Sequence, residues 1–161
     1  DLAGAVYALQ NVTLVPNPSF VTIHSSKGFE GFTVLIYHGF SYIHYCTNVD
    51  SIRQQGGLDR PDLIMKFLLQ KRHLAPTHTS TLYVPCKDND PLVIDKVPDI
   101  FASGHLHRVY ASSYRNVNTI SCGCWQAQTD FMEKLGIHPD PSKICMINLK
   151  TRKVKILHFG N

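Results

Sequence analysis

The sequence predicts an α/β (α+β) fold, and three observations carry that expectation. Residues 33–37 (Thr-Val-Leu-Ile-Tyr) and 100–102 (Ile-Phe-Ala) are short apolar runs rich in strand formers. They are too short for buried helices and read as central strands covered on both faces. Residues 59–72 instead place Leu63, Ile64, Phe67 and Leu68 on one stripe, the spacing of an amphipathic helix. Short β-rich segments punctuated by Gly, Pro and Asn surround both. A chain of 161 residues, 43% hydrophobic and 17% charged, suits a single domain over residues 1–161.

Taken in order, residues 1–10 read as a helix end with Leu2, Val6 and Leu9 on its apolar side. Residues 11–15 alternate polar and apolar like a half-buried strand, and Pro16 and Pro18 break it. Residues 19–24 form a second strand with His24 on its face. Residues 25–28 turn, and Gly31 opens the strand that ends at His38, so an antiparallel meander joins the central sheet. Residues 39–57 read as a polar, aromatic loop in which Phe40, Tyr42 and Tyr45 either pack the loop down or stack on bases.

In the predicted helix 59–72, Asp59 is the expected N-cap and Pro61 sits in the first turn. Lys71 and Arg72 complement its carboxyl end. Residues 77–91 form a loop around a short strand, 81–84, and residues 91–94 are extended. Residues 109–114 and 118–122 are strands joined by a turn at 115–116. Residues 125–134 form a short helix or ordered loop, ended by Pro139 and Pro141, and the segment Trp-Gln-Ala-Gln (125–128) reads as packing or partner contact. Residues 144–149 and 153–159 make a final hairpin whose outer strand carries solvated Lys153, Lys155 and His158.

A net charge of +4 is compatible with a polyanionic partner without establishing one. No apolar run approaches the ~18 residues of a membrane span. The five cysteines are odd in number and form no disulfide framework. Cys122 and Cys124 resemble a metal pair but read as part of a buried strand and turn, where Cys behaves as a small hydrophobe. Unpaired thiols fit a reducing, cytoplasmic setting.

The chemistry concentrates at strand ends. Residues 103–108 read Ser-Gly-His-Leu-His-Arg, so His105 and His107 follow the second apolar run. In extended backbone, residues two apart share a side at a spacing of ~6.5 Å. Two such imidazoles serve one metal ion, or two ions about 3.5–4 Å apart; the alternative is a loop with two surface histidines. Gly104 allows a sharp turn and close approach there. The first run also ends on His38 and Gly39. Ligands of open α/β sheets gather at the carboxyl ends of strands, so His38, His105 and His107 are candidates to converge.

With Tyr-His-Gly at 37–39 and Gly-His-Leu-His at 104–107, the chain resembles the last two motifs of calcineurin-like metallophosphoesterases. A closer resemblance covers residues 11–149. It lies in Lys-Arg-His-Leu-Ala-Pro (71–76), Val-Pro-Asp-Ile-Phe (97–101), Trp-Gln-Ala-Gln-Thr-Asp-Phe (125–131) and Gly-Ile-His-Pro-Asp-Pro (136–141). These are similar to the small subunit of archaeal D-family DNA polymerase, which carries its 3′–5′ proofreading exonuclease.

The resemblance implies the C-terminal part of a phosphoesterase β-sandwich flanked by helices. It also implies two divalent ions, with Mn²⁺ suiting imidazole ligands. His38 and His105 would share one ion and His107 would bind the other. Arg108 is a candidate phosphate contact, and Lys71 and Arg72 are candidate contacts to the DNA backbone. The implied partners are the large catalytic subunit, single-stranded 3′ ends of DNA and the sliding clamp. The family's earlier motifs, Asp-x-His, Gly-Asp and Gly-Asn-His-Asp, occur nowhere in the sequence. They are expected before Asp1, leaving this chain half a ligand set and weak or no catalysis by itself. Tyr42 to His44 stand where the family usually carries acids, which leaves open a non-catalytic polymerase assembly subunit. A generic metallophosphoesterase is the third reading.

Overall fold

The structure is a computed structural model and describes residues 2–160. It is an α+β arrangement built on a mixed five-stranded sheet. After a short helix α1 (Leu2–Tyr7) come β1 (Ser19–Ile23) and β2 (Phe32–Tyr37), paired antiparallel. Asp1, at the start of the expected first helix, lies outside the described residues. Residues 11–15 do not form the expected strand: Leu14 and Val15 are exposed, and alternation without a neighbouring strand to pair with forms no ladder.

β3 (Ile100–Ser103) lies parallel to β2, and β5 (Val117–Ser121) parallel to β3. β4 (Tyr110–Tyr114) pairs antiparallel with β5 at the far edge, giving the order β1-β2-β3-β5-β4. The two apolar runs are thus the parallel centre of the sheet, where strands need cover on both faces. Leu35 and Phe101 stand side by side and are fully buried. Arg115 and Asn116, both at positive φ, make the two-residue turn between β4 and β5.

The connection from β2 to β3 carries the helices. Residues 39–57 are mainly helical, contrary to the expected loop: α2 (Tyr42–Asn48) and α3 (Asp50–Gln54) precede a 3₁₀ turn (Gly57–Asp59). Tyr42, Tyr45 and Cys46 are buried on one side of α2, at three-and-four spacing. α4 (Pro61–Lys71) follows and packs on α2, β4 and β5. Arg60, not Asp59, occupies its N-cap position, because the 3₁₀ turn takes up Asp59. Residues 81–84 form no strand; Leu82 and Val84 point outward without a partner ladder. Near residues 91–94 only an isolated bridge forms, between His73 and Val93, while Leu92 and Ile94 enter the core.

α5 covers only Asp130–Lys134, capped by the Thr129 hydroxyl, which accepts from the Met132 amide. β6 (Lys143–Ile147) and β7 (Val154–His158) form the expected hairpin. Its turn is locked to the base of the sheet by Arg152, whose guanidinium donates to Asp99 Oδ1 at 2.9 Å, Asn118 Oδ1 at 2.8 Å and the Asn116 carbonyl at 2.9 Å. Asp99 in turn accepts from the Thr33 amide at the start of β2. Among the described residues, no helix is long and apolar enough to cross a membrane.

Candidate metal centre

His38 follows the last residue of β2, and His105 lies two residues beyond β3. Because those strands are parallel neighbours, with Tyr37 opposite Ser103, both histidines emerge at the same end of the sheet. The loops are tied together there. The Gly104 amide donates to the His38 carbonyl at 3.2 Å, and the His38 amide donates to Asn17 Oδ1 at 2.7 Å.

The glycine that permits this approach is Gly39 rather than Gly104. A Cβ on Gly39, at φ +105°, would meet Ser103 Oγ at 3.1 Å and His105 Cβ at 3.3 Å, whereas one on Gly104 would meet only the His38 carbonyl, at 3.9 Å. Beneath the site the buried Tyr37 hydroxyl donates to Ser41 Oγ and accepts from Thr81 Oγ1, each at 2.9 Å. Ser41 Oγ donates onward to the Leu74 carbonyl at 2.6 Å.

The imidazoles meet. His105 Nδ1 lies 3.1 Å from His38 Nε2, with ring centroids 4.9 Å apart. Phe40 packs against both rings, 4.4 Å from His38 and 5.0 Å from His105. His105 and His107 sit at φ +68° and +58°, in the left-handed region. The extended backbone expected for the His-Leu-His segment is therefore absent, and the two rings are placed by a tight, strained loop instead. Leu106, fully buried between them, anchors that loop. The Nδ1 of His107 is buried and has no hydrogen-bond partner among the described residues.

Burial pushes the His105 imidazole down to about 4, helped by the charges His38 and His107 would carry. His38 is lowered by burial and then by His107. Neutral rings, each with one nitrogen lone pair, are what metal coordination requires, so the donor chemistry suits a borderline divalent ion. Among the described residues, no group of three or more His, Cys, Asp or Glu side chains is arranged to hold a metal. The approach of His38 to His105 brings two ring donors together.

Arg108 is engaged beside it. Its guanidinium donates to the His138 carbonyl at 3.0 Å and lies 3.5 Å from Asp59 and 3.6 Å from Asp140. The Asp59 carboxylate also stands 3.4 Å from His138 Nδ1. Asp140 is held below the usual carboxylate range, burial opposing and the Lys143 ammonium, the Val109 amide and Arg108 favouring its charge. The sequence reading missed this Asp59–Arg108–His138–Asp140 cluster, whose members come from a 3₁₀ turn and two loops. Lys71 stands over the Phe67 ring, and Arg72 donates to the carbonyls of Ile94 and Asp95 at 2.6 and 2.7 Å. The geometry gathers neither at the histidines.

Two cysteine expectations change. β5 stops at Ser121, so Cys122 is exposed, while Cys124 is half-buried and bridges Pro141.

The chain is 32% identical over 160 residues to the DNA polymerase II small subunit of Methanothermobacter thermautotrophicus, an alignment covering 99% of this chain and 31% of that protein. The small subunit of Halobacterium salinarum is 33% identical, with 97% and 29% covered. That of Pyrococcus abyssi is also 33% identical, with 99% and 24% covered. The chain therefore spans about a third or less of the length of the curated relatives it matches. No family model matches it.

Proposed function

This chain is related over nearly its whole length to the archaeal DNA polymerase II small subunits, and from that premise we propose that it is the histidine-bearing part of a metal-dependent 3′–5′ exonuclease. The observation that carries the reading is the convergence of His38 and His105 at 3.1 Å from two neighbouring parallel strands. His107, with its unpartnered buried nitrogen, would add a third ligand. Two divalent ions, Mn²⁺ for preference, would supply a nucleophile at neutral pH and a sink for the charge of phosphodiester cleavage.

This chain's own residues do the rest. Burial keeps His38 and His105 neutral, Phe40 holds their rings, and the tie from Asn17 fixes the end of β2. Arg108 braces the His107 loop against Asp59 and Asp140. A two-ion site would need ligands beyond these three histidines, so weak or no nuclease activity is expected of this chain by itself. The partners of the whole would be the large polymerase subunit, single-stranded 3′ ends and the sliding clamp, in the cytoplasm.

In a full-length subunit, His105→Ala or His107→Ala abolishes Mn²⁺-dependent trimming of single-stranded 3′ ends; undiminished trimming overturns the reading. One observation favours a second reading, a non-catalytic assembly subunit. Tyr42, in the region where acids are usual in this family, is fully buried in the core face of α2. Metal analysis of the full-length subunit separates the two: stoichiometric divalent metal supports the nuclease, and its absence the assembly role.

A further inference from the structure

We infer that Trp125 and Phe159 form a platform on which unpaired bases of a nucleic-acid strand stack beside the histidine cluster. The inference rests on the reading of that cluster as a phosphodiester-cleaving centre and specifies how its strand is held.

The Trp125-Gln-Ala-Gln-Thr segment is expected to be packed or partner-facing; Trp125 is 66% exposed, which leaves the second of these, and Phe159 is 60% exposed. Their rings lie 5.9 Å apart with planes tilted by 51°, so each supports the other without covering it. Large aromatics left in water together mark a binding surface.

Their position ties them to the histidine end of the sheet. Cys122 donates its amide to the Ser103 carbonyl at 2.7 Å, one residue before the Gly104-His105 turn. The Asp140 amide donates to the His107 carbonyl at 2.8 Å, and the Ser142 amide to the Cys124 carbonyl at 3.1 Å. The Phe159 amide donates to the Ser142 carbonyl at 2.8 Å. A short series of main-chain bonds therefore links the His107 loop to both platform residues. Gly123 makes the junction tight: a Cβ there would lie 2.4 Å from Val109 Cγ2 and 2.9 Å from the Asp140 carbonyl.

The surface beside the platform has the charge a strand needs. Strand alternation puts Lys153, Lys155 and Leu157 on the hairpin face of Phe159. The register sets Ile144 and Met146 of β6 on that same face, and it carries no carboxylate. Both lysines are exposed. Aromatic rings with nearby cations and no sequence-reading groups are the composition of single-strand binding surfaces, where bases stack and the backbone is neutralised. The exposed Ile144 and Met146 also suit a protein partner, and the experiment decides against or for that alternative.

Trp125 is the only tryptophan, so its fluorescence reports the platform directly. With EDTA present, a short oligothymidylate quenches that emission saturably, and an abasic oligomer of the same length does not. Trp125→Ala lowers affinity for a labelled oligothymidylate, read by anisotropy, about tenfold. Trp125→Phe restores most of it, and Phe159→Ala loses an intermediate amount. Each variant residue is exposed, and circular dichroism verifies that the fold persists. Equal quenching by the abasic strand, or unchanged affinity in Trp125→Ala, overturns the proposal and leaves the pair as a protein-docking patch. Mn²⁺ binding by a full-length subunit, followed calorimetrically, is a separate readout. Its absence would remove the metal reading while the stacking result stood, and the reverse outcome would remove only the platform.

Discussion

Acidifying the metal-free chain tests the environment of His105. Its imidazole is pushed from 6.5 to about 4, chiefly by burial. At pH 5.5 an ordinary imidazole is about 90% protonated, whereas one titrating near 4 is only about 3% protonated. The sign for stability follows. The folded value lies below the unfolded one, so the unfolded chain takes up a proton that the folded chain refuses. The stabilisation is complete above the unfolded value of 6.5 and is lost as pH falls through the window down to about 4.

The full shift would correspond to ~3 kcal/mol, and the partial exposure of the ring discounts this to about 1–2 kcal/mol. His38 is shifted in the same direction, and its loss adds to the trend. Histidine side-chain nitrogen spectra against pH, recorded in EDTA, follow the ring directly. Urea unfolding at pH 7 and pH 5 of the wild type and His105→Gln gives the energetic side, the wild type losing more. A His105 resonance that titrates near 6.5, or equal pH dependence in the two proteins, refutes the reasoning.

Three further outcomes follow from single side chains. Arg152→Ala strips the hairpin turn of its bonds to Asp99, Asn116 and Asn118. It costs about 2–3 kcal/mol in urea unfolding, with β6 and β7 amides losing exchange protection first. Tyr37→Phe leaves Ser41 and Thr81 short of a partner in a buried network and costs about 1–2 kcal/mol, read as a lowered Tm. Phe40→Ala frees the rings of His38 and His105 and weakens Mn²⁺ binding about tenfold in a full-length subunit by calorimetry, with Phe40→Tyr close to wild type.

How far the chain can be read without its fold varies by element. Residues 33–37 and 100–102 were legible as central strands, because only burial on both faces rewards continuous apolarity. The hairpin and the turn at Arg115-Asn116 were equally plain. The helix in residues 42–48 was not, although Tyr42, Tyr45 and Cys46 recur at helical spacing; its polar and aromatic composition masked the period. Residues 11–15 had the alternation of a strand and 81–84 its apolar composition, but a strand exists only when another strand offers its hydrogen bonds, and composition does not report that. Trp125 reads as a packing or partner-contact residue by type alone, and which of the two it is depends on the loop that leaves it exposed.

The residues themselves determined that two buried strands would end in histidine beside glycine, and so that imidazoles would crowd one end of a sheet. Tertiary structure decided which of them meet: β2 and β3 had to be parallel neighbours in register before His38 could reach His105, 67 positions away. It likewise decided that Arg108 would be held by Asp59, His138 and Asp140, and that Trp125 would lie against Phe159. Local sequence sets what a segment can form, because propensity and periodicity act over a few residues. Juxtaposition across the chain is set by strand pairing and packing, which act between segments and are written in no one of them.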